Sequence, residues 1–420
     1  MRREKVFNRS LLLLAIMSIM LFAMTITASA AQGKAVTGLK QTDDSKTSVK
    51  VEWNSNYGES YAVFISSDRT TGYQAVSSYT TSSNSKYISS LQAGRTYYVI
   101  VQTYVDKQLV GQSDPFQVVT SPESVDYKSI KQTSGTKNKI GLQWNSVSGA
   151  SGYVLAKISG SKVEKQYNLT TNKATIPAQA GKHYGDYYVY TYRRSESNYI
   201  ALSYSSWPGT LYAAPVNPQY VADAKAGTLE WVPAKKGNII TIGWKPNTNY
   251  DYPTGYQIQI YSLDGKKRLY TTKTTTRTKI TINNAKLRKA INNRGFKVRI
   301  RSYKEANGGV KCWSDWSAFK AVVPQVCTKR SNFKVVSSSA VKVTWKKIAN
   351  AKYYVVYYSK NPYSSNAKWV KKKVSAKTTS FVVRGLKKYQ TFCIYAVPVV
   401  KVGGKTYRGQ VCEYPGGYIH

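Results

Sequence analysis

The chain has 420 residues and carries 62 lysines and arginines against 20 aspartates and glutamates, a net charge of +42. Charge on that scale points to a polyanionic partner and argues against an ordinary cytosolic enzyme. Two histidines and four cysteines leave little material for metal cages, His-based triads or Cys-His nucleophiles, whereas 36 Tyr, 9 Trp and 9 Phe argue for folded domains over disorder.

In chain order, the first element is a secretory signal over residues 1–30. Arg2, Arg3, Lys5 and Arg9 precede an apolar run from Leu11 to Met24, and Ala28-Ser29-Ala30 gives an A-x-A cleavage site. The run is shorter than the roughly 20 residues that span a bilayer. No cysteine precedes Cys312, so a lipid anchor is not expected, and no second apolar span follows. The mature chain is expected to be secreted, with no transmembrane segment, and either released or held by non-covalent contacts.

Short alternating runs then end four times in tryptophan, at Trp53, Trp144, Trp244 and Trp345, spaced 91, 100 and 101 residues apart. Each is followed by a second run opened by a tyrosine (Tyr61, Tyr153, Tyr256, Tyr353). A third run follows: Tyr97–Val101, Tyr187–Val189, Phe296–Ile300 and Phe392–Ala396. Alternation of β-branched and aromatic residues with period two, broken by Gly, Ser, Asn and Pro, predicts short half-buried strands. The one helical stretch, Asn284 to Asn292, is about one or two turns long.

A repeat of about a hundred residues with many short strands has the size of a two-sheet sandwich. The core Trp late in the second strand, the Tyr opening the third and the Tyr-x-Val-x-Val sixth strand resemble fibronectin type III modules. The first module shows the pattern best, in Leu91, Gly94, Tyr97, Val99 and Val101. The resemblance implies an all-β chain, a tandem array of four fibronectin type III-like (immunoglobulin-like) β-sandwiches over residues 32–121, 122–217, 218–325 and 326–420. Boundaries are expected at Ser121-Pro122, near Asn217-Pro218 and near Pro324-Gln325, with linkers short enough to couple neighbours stiffly. Trp53, Trp144, Trp244 and Trp345 are expected in the cores. Such modules serve as spacers, adhesins and enzyme appendages alike, so the fold leaves the activity open.

Charge is graded along the array: +1, +6, +14 and +18 from the first module to the fourth. The fourth holds one acid, Glu413, and local clusters at Lys371-Lys372-Lys373 and Lys387-Lys388. A merely solvated face would mix signs, because like charges destabilise a compact domain, so these lysines are expected to bind a polyanion. Lysine outnumbers arginine there, which suits diffuse contact with a polymer better than bidentate recognition of a shaped group. For an exported chain the nearest polyanions are cell-wall teichoic acids and phospholipid headgroups, with extracellular nucleic acid further off.

The third module contains Trp313-Ser314-Asp315-Trp316-Ser317, a W-S-x-W-S segment as in the cytokine-receptor branch of the fibronectin type III family. That resemblance implies tryptophans stacked between cations of the sixth strand, here Lys297, Arg299 and Arg301, which alternation places on its outer side. It implies nothing about cytokines. The second module has a weaker relative, Tyr204-Ser205-Ser206-Trp207-Pro208. Its outward sixth-strand positions are Tyr188, Tyr190 and Tyr192, so no full ladder is expected there.

A bridge between Cys393 and Cys412 is expected across the hairpin closed near Gly403-Gly404. Cys312 and Cys327 are too far apart along an extended segment to pair readily. His183 and His420 lie in different modules, no C-x-x-C occurs, and the carboxylates are scattered, so neither a metal, a cofactor nor a catalytic centre is expected. The expected protein is a secreted, non-enzymatic cell-surface or matrix-type spacer or scaffold, held on anionic cell-wall polymer by its basic C-terminal modules. The alternative is a carbohydrate-binding or adhesion protein using Tyr188, Tyr190, Tyr192, Tyr354 and Tyr358, with a glycan or a host or neighbour-cell protein as partner.

Overall fold

The same two-layer arrangement recurs in each quarter of the computed structural model. The structure describes residues 35–54, 59–77, 80–218, 230–234, 237–244, 253–291, 295–323, 326, 332–348, 350–409 and 416–418. The expected signal segment, Cys327, Cys412 and the Pro324-Gln325 boundary lie outside the described residues.

In the first module Thr37–Asp44, Val49–Asn54 and Ser85–Ile88 form one antiparallel sheet with Val49–Asn54 central. The facing sheet runs Gln74–Ala75, Ser60–Ser66, Thr96–Val105 and Gln108–Gln112, and Phe116–Val119 also pairs with Thr96–Val105. The fourth module repeats this order. Phe333–Ser337, Ala340–Thr344 and Ser380–Arg384 form its smaller sheet. Its larger sheet runs Val370–Ser375, Ala351–Ser359, Thr391–Val402 and Lys405–Arg408, with Gly416–Tyr418 on the other end of Thr391–Val402. The second and third modules share the three-plus-four plan, centred on Lys139–Gln143 and Gly152–Ser159, and on Gly237–Gly243 and Gly255–Ser262.

Alternation explains the layering. Val49, Val51 and Trp53 are buried while Lys50 and Glu52 between them are half-exposed and pair with each other at 2.6 Å. Each buried tryptophan meets a tyrosine of the third strand nearly edge-on: Trp53 with Tyr61, Trp144 with Tyr153, Trp244 with Tyr256 and Trp345 with Tyr354, at 5.1–5.5 Å. Burying such a ring removes roughly 150–250 Å² from water, on the order of 4–6 kcal/mol before entropy is charged against it. Tyr153 and Tyr354 also accept a backbone hydrogen bond, from the N–H of Val147 at 2.9 Å and of Ile348 at 2.8 Å. The fourth tyrosine corrects the sequence reading. Tyr354, fully buried, and not Tyr353 is the core partner, because adjacent tyrosines leave the parity of that strand open until Trp345 selects one.

The helix of the third module, Ala285–Ile291, begins where the Asn284 side-chain oxygen accepts the Leu287 N–H at 2.8 Å. Leu287 and Ile291, four residues apart, drop into the core beside Trp244 and Phe296.

The chain divides into two compact units, with the main boundary between Ala213 and Ala214. Within the first unit the first two modules touch closely. A Cβ at Gly149, whose φ is +76°, would lie 2.1 Å from the Gly94 carbonyl oxygen, so no side chain fits there. Arg193 of the second module donates to Thr96 Oγ1 at 2.6 Å and to the Gly149 carbonyl at 2.7 Å, and Tyr199 donates to the buried Asp44 at 2.9 Å. Within the second unit Leu263 and Val323 pack with Val400, and Tyr407 joins them. Neighbouring modules inside each unit are thus joined by side-chain contacts.

Candidate functional site

Two cation-and-aromatic arrays lie on the outer faces of the larger sheets of the second unit. In the third module Phe296, Val298 and Ile300 point into the core, which turns Lys297, Arg299 and Arg301 outward. The Arg301 guanidinium lies 3.9 Å from the ring centroid of Trp313 and 4.5 Å from that of Trp316. Arg299 follows at 4.8 Å from Trp316 and 5.1 Å from Phe319. Lys297 closes the row at 5.9 Å from both Phe319 and Tyr407. The rings therefore alternate with cations in the order Trp313, Arg301, Trp316, Arg299, Phe319, Lys297.

The two serines of the segment hold it in place. The Ser314 N–H donates to the Ser302 carbonyl at 2.9 Å and its hydroxyl accepts the Ser302 N–H at 3.0 Å. Ser317 does the same with Ile300, at 2.8 and 3.0 Å. Spacing of three thus sets both tryptophans on the outer side. Each guanidinium is also fixed by an amide of the neighbouring strand: Arg301 donates to Gln257 Oε1 at 2.7 Å and Arg299 to Gln259 Oε1 at 2.7 Å. Burial, and secondarily the like charge of Arg299, holds the Arg301 guanidinium below its ordinary range. The two arginines are thus held between rings and bonded to neighbouring amides, while Phe319 at the end of the row stays exposed.

Sequence reasoning did not single out the serines elsewhere, yet the same double hydrogen bond recurs at Ser113 with Val101 and at Ser203 with Thr191. The signal was a Ser shortly after the sixth-strand hairpin. In the second module Trp207 is half-exposed and donates from its indole to the Gly185 carbonyl at 3.0 Å. Tyr190 there is not a surface ring. It packs with Val154, Ala156, Ile158, Ile200 and Leu202, and that burial, opposed in part by a hydrogen bond with Ser205, raises its phenol to about 12. Tyr188 and Tyr192 are half-buried beside it.

Among its described residues the fourth module has no second aromatic clamp of that kind. Its outer sheet face carries Tyr353 and Tyr357 from the third strand, Tyr395 from the sixth, Lys371 and Lys373 from the edge strand and Arg408 from the last hairpin. Tyr354, fully buried, and Tyr358, half-buried against the core, face inward, so neither is a surface ring. Tyr357 and Tyr395 stack across the ladder at 5.1 Å and 12°, and Trp369 tilts against Tyr395 at 5.6 Å. Lys371 lies 5.8 Å from the Tyr357 centroid, Arg408 lies 5.9 Å from it and donates to its hydroxyl, and Lys373 lies 4.5 Å from Tyr353.

The expected lysine triplet is divided by the strand. Lys371 and Lys373 share the outer side, while Lys372, opposite Val356, takes the other parity at an exposed edge. Lys387 and Lys388 sit apart in the turn before the sixth strand, with Lys388 5.0 Å from exposed Tyr389. No described lysine or arginine of this module has an ion-pair partner among the described residues. The ion pairs among the described residues, such as Lys46 with Glu123 at 2.7 Å and Arg69 with Glu196 at 2.8 Å, belong to the first unit.

Cys393 is a free, buried thiol, so the Cys393–Cys412 bridge is not formed. The residue opposite Cys393 is Gly416, four positions beyond Cys412, because the return of the chain does not keep the register of the Gly403-Gly404 hairpin. Cys312 is also a buried thiol, and desolvation raises both cysteines to about 11. Among the described residues no three His, Cys, Asp or Glu side chains gather as a metal cage would require, and no helix is long and apolar enough to cross a membrane.

In all four modules three strands, first-second-fifth, face a sheet ordered fourth-third-sixth-seventh. The modules are fibronectin type III-like β-sandwiches in tandem. Solved structures similar to the chain carry the same modules. The FN1–FN3 domains of chicken CNTN1 are 11% identical over 93% of this chain and 99% of that one, with a TM-score of 0.20. A two-domain fibronectin type III segment of chicken tenascin is 13% identical over 42% and 99%, at 0.25. A single domain of human fibronectin type III domain containing protein 3 is 16% identical over 23% and 93%, at 0.19. Scores this low add nothing to the strand order, which carries the assignment. No family model matches the chain, and no curated protein sequence matches it.

Proposed function

We propose that this is an exported, non-catalytic cell-surface protein held on an anionic cell-wall polymer by its basic second unit, with the near-neutral first two modules serving as spacer or interaction scaffold. The observation that carries the reading is the fourth module's charge of +18 with no acidic partner for any of its cations among the described residues. A solvated face of mixed sign would resemble the first unit, where Lys157 lies between Glu164 and Asp186. Uncompensated lysines repel one another, and a polyanion relieves that repulsion while releasing its own condensed counterions. Exposed lysines on an edge strand and in a turn suit a flexible polymer, which needs positive charge over an area more than a shaped pocket.

Binding of the full chain to teichoic-acid-bearing cell wall, measured between about 0.05 and 0.5 M NaCl, tests this. Affinity should fall steeply with salt and be largely lost on walls stripped of the polymer. Binding that is indifferent to salt, or equal on stripped walls, would sink the proposal.

A further inference from the structure

The outer faces of the third and fourth modules begin from the same plan and end differently. In the third, W-S-x-W-S folds two indoles back over the sixth strand, so its arginines are sandwiched and bonded to Gln257 and Gln259. In the fourth, the corresponding return strand is Lys405–Arg408, which contributes one exposed arginine and no indole. The rings and cations of that face are left to solvent: Trp369 is 36% exposed, Lys371, Lys373 and Arg408 are exposed, and Tyr353, Tyr357 and Tyr395 are half-exposed.

We propose that this face, with Trp369, Tyr357 and Tyr395 as its floor and Lys371, Lys373 and Arg408 as its anion contacts, binds an acidic polysaccharide. The proposal rests on the polyanion reading above and narrows it to a site and a ligand class. Three features select a sugar polymer. An indole about a third exposed takes the C–H side of a sugar ring, as aromatic rings do when one end is apolar and the other wet. The stacked tyrosines turn one face to each other, and their remaining faces are neighboured by Lys371 and Arg408 on one side and Trp369 on the other. What that pair offers is ring edges, whose C–H groups suit sugar oxygens, the Tyr357 hydroxyl already accepting from Arg408. Stacking of successive nucleobases needs open faces in series. The ammonium groups, each within reach of a single ring, keep donors for a carboxylate or phosphate of the repeating unit.

The test uses the full chain and four probes: polygalacturonate (sugar and charge), inorganic polyphosphate (charge alone), dextran (sugar alone) and oligo-dT (charge and bases). Trp369→Ala and Tyr395→Phe are compared with Lys371→Gln/Lys373→Gln. Polygalacturonate should bind most tightly. It should weaken about tenfold or more with Trp369→Ala, and less with Tyr395→Phe, which keeps the stack. Polyphosphate should stay within about twofold for both aromatic variants, whose thermal melts show that they are folded, and should weaken with the lysine pair. Unchanged polygalacturonate affinity in Trp369→Ala, or tighter binding of oligo-dT or dextran, would overturn the acidic-sugar site while leaving the polyanion reading intact. If no polyanion binds the wild-type chain, that reading itself falls.

Discussion

The Arg301 guanidinium carbon sits 3.9 Å from the centre of the Trp313 ring and 4.5 Å from that of Trp316, held between the two indoles of one five-residue segment. Each such contact contributes about 0.5–1 kcal/mol at an exposed site and more where water is partly excluded. The guanidinium also covers sheet surface and fills the acceptor of Gln257.

Arg301→Ala should therefore destabilise the third module by about 1–2 kcal/mol, and Arg301→Lys by less, since the ammonium keeps the charge and loses the plane. Denaturant unfolding followed by indole fluorescence measures it. An unaltered transition for Arg301→Ala would show that the ladder is decoration.

The tyrosine hydroxyls of the core make a second prediction. Tyr354→Phe leaves the ring against Trp345 and removes only the acceptor of the Ile348 N–H. A buried donor without its partner costs about 1–3 kcal/mol, whereas Trp345→Ala, which opens the core, should cost about 3–5 kcal/mol. Thermal melts of both variants should rank in that order, and a Tyr354→Phe protein as stable as the wild type would refute the role of the hydroxyl.

How much of this was readable in the chain differs by element. The four tryptophans and the outward row Lys297, Arg299, Arg301 were legible because period two and a fixed motif determine which side each residue takes. Tyr353 against Tyr354 was not, because two like residues in succession make both parities equally apolar, and only the packed Trp345 decides. Cys393 was misjudged because hairpin register was extended past the last residues that obey it, from Val399 opposite Arg408 to Cys393 opposite Gly416. The aromatic face of the fourth module was hidden for the same reason as Tyr354. Once that tyrosine goes inward, Tyr353 and Tyr357 come out beside Lys373 and Lys371.

The buried thiols give a pH dependence. Cys312 and Cys393 are raised from 9.0 to about 11 in the folded chain by desolvation. Below pH 9 both states keep the proton, so the contribution is intact. Between about pH 9 and 11 the unfolded chain releases protons that the folded chain retains, and stability falls by up to about 2–3 kcal/mol per thiol. Cys312→Ala and Cys393→Ala should flatten that decline. At pH 8 the native thiols should resist maleimide until denaturant is added, as peptide mapping would show, and rapid native labelling of Cys393 would contradict its burial.

The central claim is that local, uncompensated charge on the fourth module holds the protein to an anionic polymer. The most direct measurement compares two full-length triple reversals with the same net charge on teichoic-acid-bearing wall. One is Lys371→Glu, Lys372→Glu and Lys373→Glu, on the exposed edge strand of the fourth module. The other is Lys107→Glu, Lys139→Glu and Lys173→Glu, at exposed positions of the first unit. The first should weaken binding by about tenfold or more near physiological salt and flatten the salt dependence, while the second should stay within about twofold. Equal losses from the two would mean that net charge alone is sensed and that the fourth module holds no polymer site.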